Sequence, residues 1–101
     1  RYSYPMPEKQ PLDVDTVIEE LSAVLAKVDN PDLIRRFLYS VLTEYEIGEV
    51  ASRWELVKLI DRGISQRKIA DRLGLSLCKI TRGSKELKKP DSAFKQFIDR
   101  I

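Results

Sequence analysis

Two short runs in this chain combine a hydroxyl with side chains suited to a polyanion. They are Ser65-Gln66-Arg67-Lys68 and Ser76-Leu77-Cys78-Lys79, the second followed closely by Thr81-Arg82-Gly83-Ser84. Gln66 and Arg67 suit hydrogen bonds to phosphate oxygens. Ser76, Leu77, Cys78 and Lys79 suit base edges: Leu77 and Cys78 could meet thymine methyls, and Lys79 could reach guanine or phosphate. Thr81 and Ser84 would face phosphate, and Lys88 belongs with the same set. The window from Arg62 to Lys89 holds nine basic and two acidic residues, a net +7 against −5 for the rest of the chain. Such asymmetry points to a polyanion facing one end of the molecule.

Other chemistries fall away on inventory. There is no histidine, which removes Ser-His-Asp and Cys-His catalysis and nearly every zinc site. The acids do not cluster in an apolar setting that would shift a pKa. An enzyme is not expected. Cys78 is the single cysteine, so it has no resolving partner and reads as a small side chain that fits a groove. No apolar run approaches the roughly 20 residues of a membrane span. No signal-peptide pattern opens the chain, and a reducing cytoplasm is the expected compartment.

The elements that must position these residues are legible as helices. Ser65 caps one helix, Ile64 staples to Ile69, and Gly74 stops it. Leu75, Ser76 and Ile80 then repeat the device. Two caps and two staples fix two short helices at a steep angle, a helix-turn-helix over about residues 65–84. Upstream, Asp13 or Asp15 caps a helix bearing Val14, Val17, Ile18, Leu21, Val24, Leu25 and Val28. Asn30 and Pro31 start a second, apolar over most of its surface. Thr43 and Glu46 have capping-box spacing and begin a third, which Gly63 ends. A last helix from about Pro90 or Asp91 carries Phe94, Phe97, Ile98 and Ile101 on one face.

The reading is all-α: six helices in one domain over residues 13–101. Residues 1–12, with three prolines and no helical period, form a flexible N-terminal arm. The first two helices are apolar along long faces that a small chain cannot cover alone. They point to a homodimer.

At Ala51–Lys88, ASRWELVKLIDRGISQRKIADRLGLSLCKITRGSKELK, the chain resembles the tryptophan repressor family. The similarity begins at Leu42-Thr43. It is most specific in Ile80-Thr81-Arg82-Gly83-Ser84, in Ser65-Gln66-Arg67 and in Arg53. That family is itself a type example of the helix-turn-helix, so its docking geometry is no independent support. The resemblance implies an intertwined two-fold homodimer that binds L-tryptophan as corepressor. Arg53 and Arg82 would flank the indole, one from each subunit, with Arg53 on the carboxylate. Thr43 and the carbonyls near Ser40 and Leu42 would receive the ligand's polar end, and Gly83 would let the ring lie close to backbone. Taken alone, Arg53 reads as a surface arginine paired with Glu49 or Glu46. Glu86 stands where a serine is usual near the ligand's amino group. A carboxylate there would either pair with the ammonium or oppose tryptophan. The link Arg62-Gly63-Ile64 is one residue short of the usual pattern.

The function so implied is a tryptophan-dependent repressor of biosynthesis or transport genes acting on palindromic double-stranded operator DNA, with no membrane partner. Two alternatives stand beside it. One keeps the architecture with a different small-molecule ligand or none. The other is a helical protein-interaction module.

Overall fold

The computed structural model describes residues 11–101. The first ten residues, and with them most of the expected arm, lie outside the described part; Pro11 and Leu12 precede the first helix without regular structure. Six helices follow in order: α1 (Val14–Leu25), α2 (Pro31–Val41), α3 (Glu44–Asp61), α4 (Gln66–Leu73), α5 (Leu77–Lys88) and α6 (Ala93–Ile98). No strand occurs among the described residues. Among the described residues, no helix is long and apolar enough to cross a membrane. The all-α reading holds.

Each helix starts where a short polar side chain can accept an orphan N–H. The caps are Asp13, Asn30, Thr43, Ser65, Ser76 and Ser92. At α3 the capping box is complete. Thr43 Oγ1 accepts from Glu46 N–H at 3.1 Å, and Glu46 Oε1 accepts from Thr43 N–H at 2.8 Å. The Thr43 backbone N–H, foremost, and the Thr43 side chain beside it hold the Glu46 carboxyl below its ordinary pKa. A lowered folded-state pKa means that its contribution is present above the unfolded value and lost as pH falls. The melting temperature of the wild type is therefore expected to decline more steeply between about pH 5 and 3 than that of Glu46→Gln, which cannot titrate. Equal slopes in thermal unfolding would remove the cap from the acid response.

The α3 stop is decided by Gly63, at φ 84°. Its N–H donates to Ile60 O at 3.0 Å and the Ile64 N–H to Leu59 O at 3.1 Å, the paired bonds of a Schellman motif. The three-residue link Arg62-Gly63-Ile64 thus closes α3 and delivers Ser65 to cap α4. Gly74, at φ 67°, ends α4 with one bond from its N–H to Ala70 O at 2.8 Å.

The sequence reading places the last helix two to three residues early. Asp91 takes a left-handed backbone, φ 56°, which a helix cannot include, and α6 begins only after the Ser92 cap. The helix-turn-helix read over about residues 65–84 has a longer second helix: Thr81-Arg82-Gly83-Ser84 lies within α5, which runs through to Lys88.

The chain divides into two compact units, the first ending at Leu38 and the second spanning Tyr39–Ile101. In the second, Leu56, Leu59, Ile69 and Ile80 form the core, with Ile64, Leu73 and Leu75 packed against it. Both stapling residues, Ile64 and Leu75, therefore pack against the cluster that holds Ile69 and Ile80. The same cluster joins α3, α4 and α5. Lys95 ties α6 back to α3: its ammonium pairs with Asp61 and with Asp99, each at 2.9 Å, which raises the lysine's pKa. By contrast, α1 and α2 bury none of their residues, although their sequences are amphipathic.

Candidate functional site

Because α3 and α5 pack closely, the side chains on their shared edge converge. Gly83 sets the approach. A Cβ built there would lie 3.1 Å from Leu56 Cδ2 and 3.5 Å from Val57 Cγ2. Beside this crossing opens a cleft of about 400 Å³, within the range of small-molecule sites. Arg53 and Glu49 border it from α3, Lys79, Arg82, Gly83 and Glu86 from α5, and Phe94 from α6; Leu56 and Leu75 supply apolar lining. Trp54 stands behind Phe94, the rings stacked at 5.9 Å and 21°. Trp54 thus packs against the residue that lines the cleft's α6 side.

Among the cleft's charged side chains, Glu49, Lys79, Arg53 and Glu86 already have partners. Lys79 Nζ donates to Glu49 Oε2 at 3.3 Å, and Arg53 Nη2 lies 3.9 Å from Glu49 Oε1. Glu86 pairs with Lys89 at 3.0 Å. Arg53 is thus both a partner of Glu49 and a wall of the cleft.

On its outward side, α5 presents a second, open depression formed by Leu77, Cys78, Thr81, Arg82 and Lys85. Leu77 is 60% exposed and Cys78 is exposed. Gln66 and Arg67 lie exposed in the first turn of α4, and Ser76, Lys79, Thr81 and Lys88 are exposed around α5. Arg82 borders both the cleft and the outward depression. α5 thus has an exposed outward face and a ligand-sized cleft on its other side.

A sequence model of the family described as Trp repressor protein matches residues 16–101. This chain belongs to the Trp repressor family. A Trp operon repressor homolog of Chlamydia caviae is 36% identical over 77 residues, covering 75% of this chain and 76% of that protein. One from Xylella fastidiosa is 33% identical over 85 residues, covering 83% and 90%. One from Chlamydia trachomatis is 38% identical over 65 residues, covering 62% and 69%. No solved structure matches. Members of the Trp repressor family are transcription regulators and not enzymes.

For a Trp repressor family chain, the positions expected from sequence separate into three groups. Arg53, Arg82, Gly83 and Glu86 meet in one cleft. Both arginines line the cleft of a single chain, where the sequence reading had assigned one to each subunit. Ser40, Leu42 and Thr43 do not line it. Ser40 lies in the last turn of α2, Leu42 in the link, and Thr43 spends its hydroxyl oxygen on the α3 cap. Ser84 is the clear correction. It is 7% exposed, turned inward on the face of α5 that carries Gly83 and Ile80, and so is withdrawn from phosphate. Glu49, Ser52, Leu56, Leu75 and Phe94 were not singled out as ligand-site residues, since nothing local marks them as cleft walls. The one available signal was the i,i+4 spacing of Glu49 and Arg53.

Gly83 therefore serves helix packing as well as the cleft. Gly83→Ala is expected to be near neutral. The gain in helix propensity, about 1 kcal/mol, offsets a small shift of Leu56. Gly83→Val has no such room and is expected to cost about 1–3 kcal/mol. Urea unfolding of the two variants checks this, and equal midpoints would show that α5 does not need the close approach.

Proposed function

We propose that this chain is a tryptophan-responsive repressor that binds palindromic operator DNA as a homodimer in the cytoplasm and shuts down tryptophan biosynthesis or transport genes. The observation that carries the reading is the position of Arg82, which borders both the cleft and the outward face of α5. A flat zwitterion in the cleft would meet Arg53 with its carboxylate and Arg82 with its ring. The planar arginine fork suits both contacts. Glu86 lines the same cleft from α5, with its carboxylate paired to Lys89. Gln66, Arg67, Ser76, Leu77, Cys78, Lys79, Thr81 and Lys88 form the DNA face, with Ser84 removed from the set.

Dimerisation has physical support in the helices that bury nothing. Val14, Val17, Ile18 and Val24 of α1 and Leu33, Leu38 and Val41 of α2 are exposed. Apolar surface of this kind calls for a second copy. A partner subunit would also bring the α2 terminus, with Ser40, Leu42 and Thr43, to a cleft that its own chain's copies do not reach. A two-fold pair of reading helices would enter successive major grooves about one DNA turn apart, the geometry for which the Trp repressor is a type case. The repressor domain so proposed is residues 13–101.

Ligand can favour the DNA-competent state only by binding it more tightly, and DNA must then tighten ligand binding by the same factor. Calorimetric titration of L-tryptophan, with and without a palindromic duplex selected by the chain, tests this reading. Tryptophan binding that strengthens with DNA supports it. No heat of binding in either condition overturns tryptophan as the ligand, and a screen of amino acids and indole derivatives would then separate another ligand from none. No salt-dependent affinity for duplex DNA would leave the protein-interaction module.

A further inference from the structure

Glu49 occupies a shared position. It lines the cleft from α3, four residues before Arg53, and it holds Lys79 of α5, thirty residues away in sequence. Lys79 sits in the first turn of α5, next to the exposed tips of Leu77 and Cys78. Arg35, Arg36, Lys58 and Lys89 pair with neighbours on or beside their own helix; the Lys79 contact instead joins the ligand-facing helix to the DNA-facing one. One carboxylate is thus divided between an arginine of the cleft and a lysine of the reading helix.

We propose that the Glu49–Lys79 pair is a latch coupling the cleft to the DNA face, and that Glu49 accepts the ammonium of an α-amino acid ligand in exchange for Lys79. The proposal rests on the reading of the cleft as an amino-acid site. An α-amino acid carries its anion and cation on one carbon. Arg53 and Glu49 present the complementary pair of charges 3.9 Å apart on the cleft wall. When Arg53 takes the carboxylate, the ammonium lies beside Glu49 and competes for its oxygens. Lys79 then loses its partner and turns to phosphate. No covalent step is involved; one ammonium replaces another on the same carboxylate.

Magnitude favours exchange. The side chains of Lys79 and Glu49 are 51% and 29% exposed. A pair so open to water changes an equilibrium by only about two- to five-fold, so a ligand ammonium can displace it.

The test is the affinity of the full chain for a duplex selected by the wild type, measured against salt concentration with and without L-tryptophan. Unliganded Glu49→Gln is expected to bind DNA about two- to five-fold more tightly per subunit than unliganded wild type. Its salt slope should steepen by about one per subunit, since the freed lysine neutralises a phosphate. Its further gain from tryptophan should shrink. Lys79→Gln should do the reverse: affinity in tryptophan falls, the slope loses about one per subunit, and the tryptophan response diminishes. If Glu49→Gln matches wild type in unliganded affinity, slope and response, the latch is wrong. If Glu49→Gln melts early, Lys79→Gln decides alone, and an unchanged liganded slope in that variant overturns the proposal. A wild type that ignores tryptophan removes the functional reading beneath it. A wild type that responds while both variants respond equally removes only the latch.

Discussion

Ile80→Ala is expected to lose about 2–5 kcal/mol of stability and, with it, DNA binding. Ile80 is completely buried, as is Ile69, and with Leu56 and Leu59 they form the cluster that joins α3, α4 and α5. Alanine removes three carbons from the centre of that cluster. The cavity left cannot close easily, because a Schellman turn and an αL cap fix the helix ends around it. For a chain with the usual reserve of about 5–15 kcal/mol, such a loss is a large share of the total. Urea unfolding followed by circular dichroism measures it. The outward face provides the contrast. Leu77 is three residues away on the same helix but 60% exposed. Leu77→Ala is expected to shift stability by no more than about 0.5 kcal/mol while still weakening DNA binding. If the two variants lose stability equally, α5 does not have the inward and outward faces described.

The second large effect is on ligand binding. Arg53→Ala is expected to weaken L-tryptophan about 10- to 100-fold, the loss associated with a charge-assisted hydrogen bond to a carboxylate. The fold should hold, because the Arg53 side chain is half exposed and its contact with Glu49 is long. Unliganded DNA affinity should be little changed, since Arg53 lies on α3 and does not border the outward depression of α5. Arg82→Ala should differ. It borders both surfaces, so it should weaken tryptophan and reduce DNA affinity even without ligand. Paired titrations of the two variants separate a ligand residue from one shared by both sites. Arg53→Ala binding tryptophan as wild type does would remove the carboxylate role assigned to it.

Stability and ligand response thus separate along α5. One edge, with Ile80, Gly83 and Ser84, faces the core. The next, with Lys79, Arg82 and Glu86, borders the cleft, and the outward edge bears Leu77, Cys78 and Thr81. A helix with 3.6 residues per turn can serve all three at once, because successive residues turn to different sides. Thr81-Arg82-Gly83-Ser84 distributes across them in four steps, which is why so short a run borders the core, the cleft and the outward face together.

What could be known from sequence alone was local. Hydroxyl and carboxylate caps act over three residues and αL glycines over five. Residues 43, 46, 63, 65, 74 and 76 therefore announced the helix ends, and the paired cap-and-staple pattern announced the helix-turn-helix before any packing was known. The last helix was misplaced because Pro90-Asp91-Ser92 offers several starts, and only the left-handed backbone of Asp91 selects Ser92. The candidate ligand arginines were legible only through family resemblance, since Arg53 by itself also reads as a partner of Glu49. Tertiary structure decided what depends on helix crossing. The meeting of α3 and α5 at Gly83 buries Ser84, makes Leu56, Leu75 and Phe94 cleft walls, and brings Lys79 to Glu49 across thirty residues. Sequence patterns report which face of a helix is apolar. The rotation and distance at which two such faces meet are set by side-chain packing, and that geometry decides which polar residues beside the seam share a site.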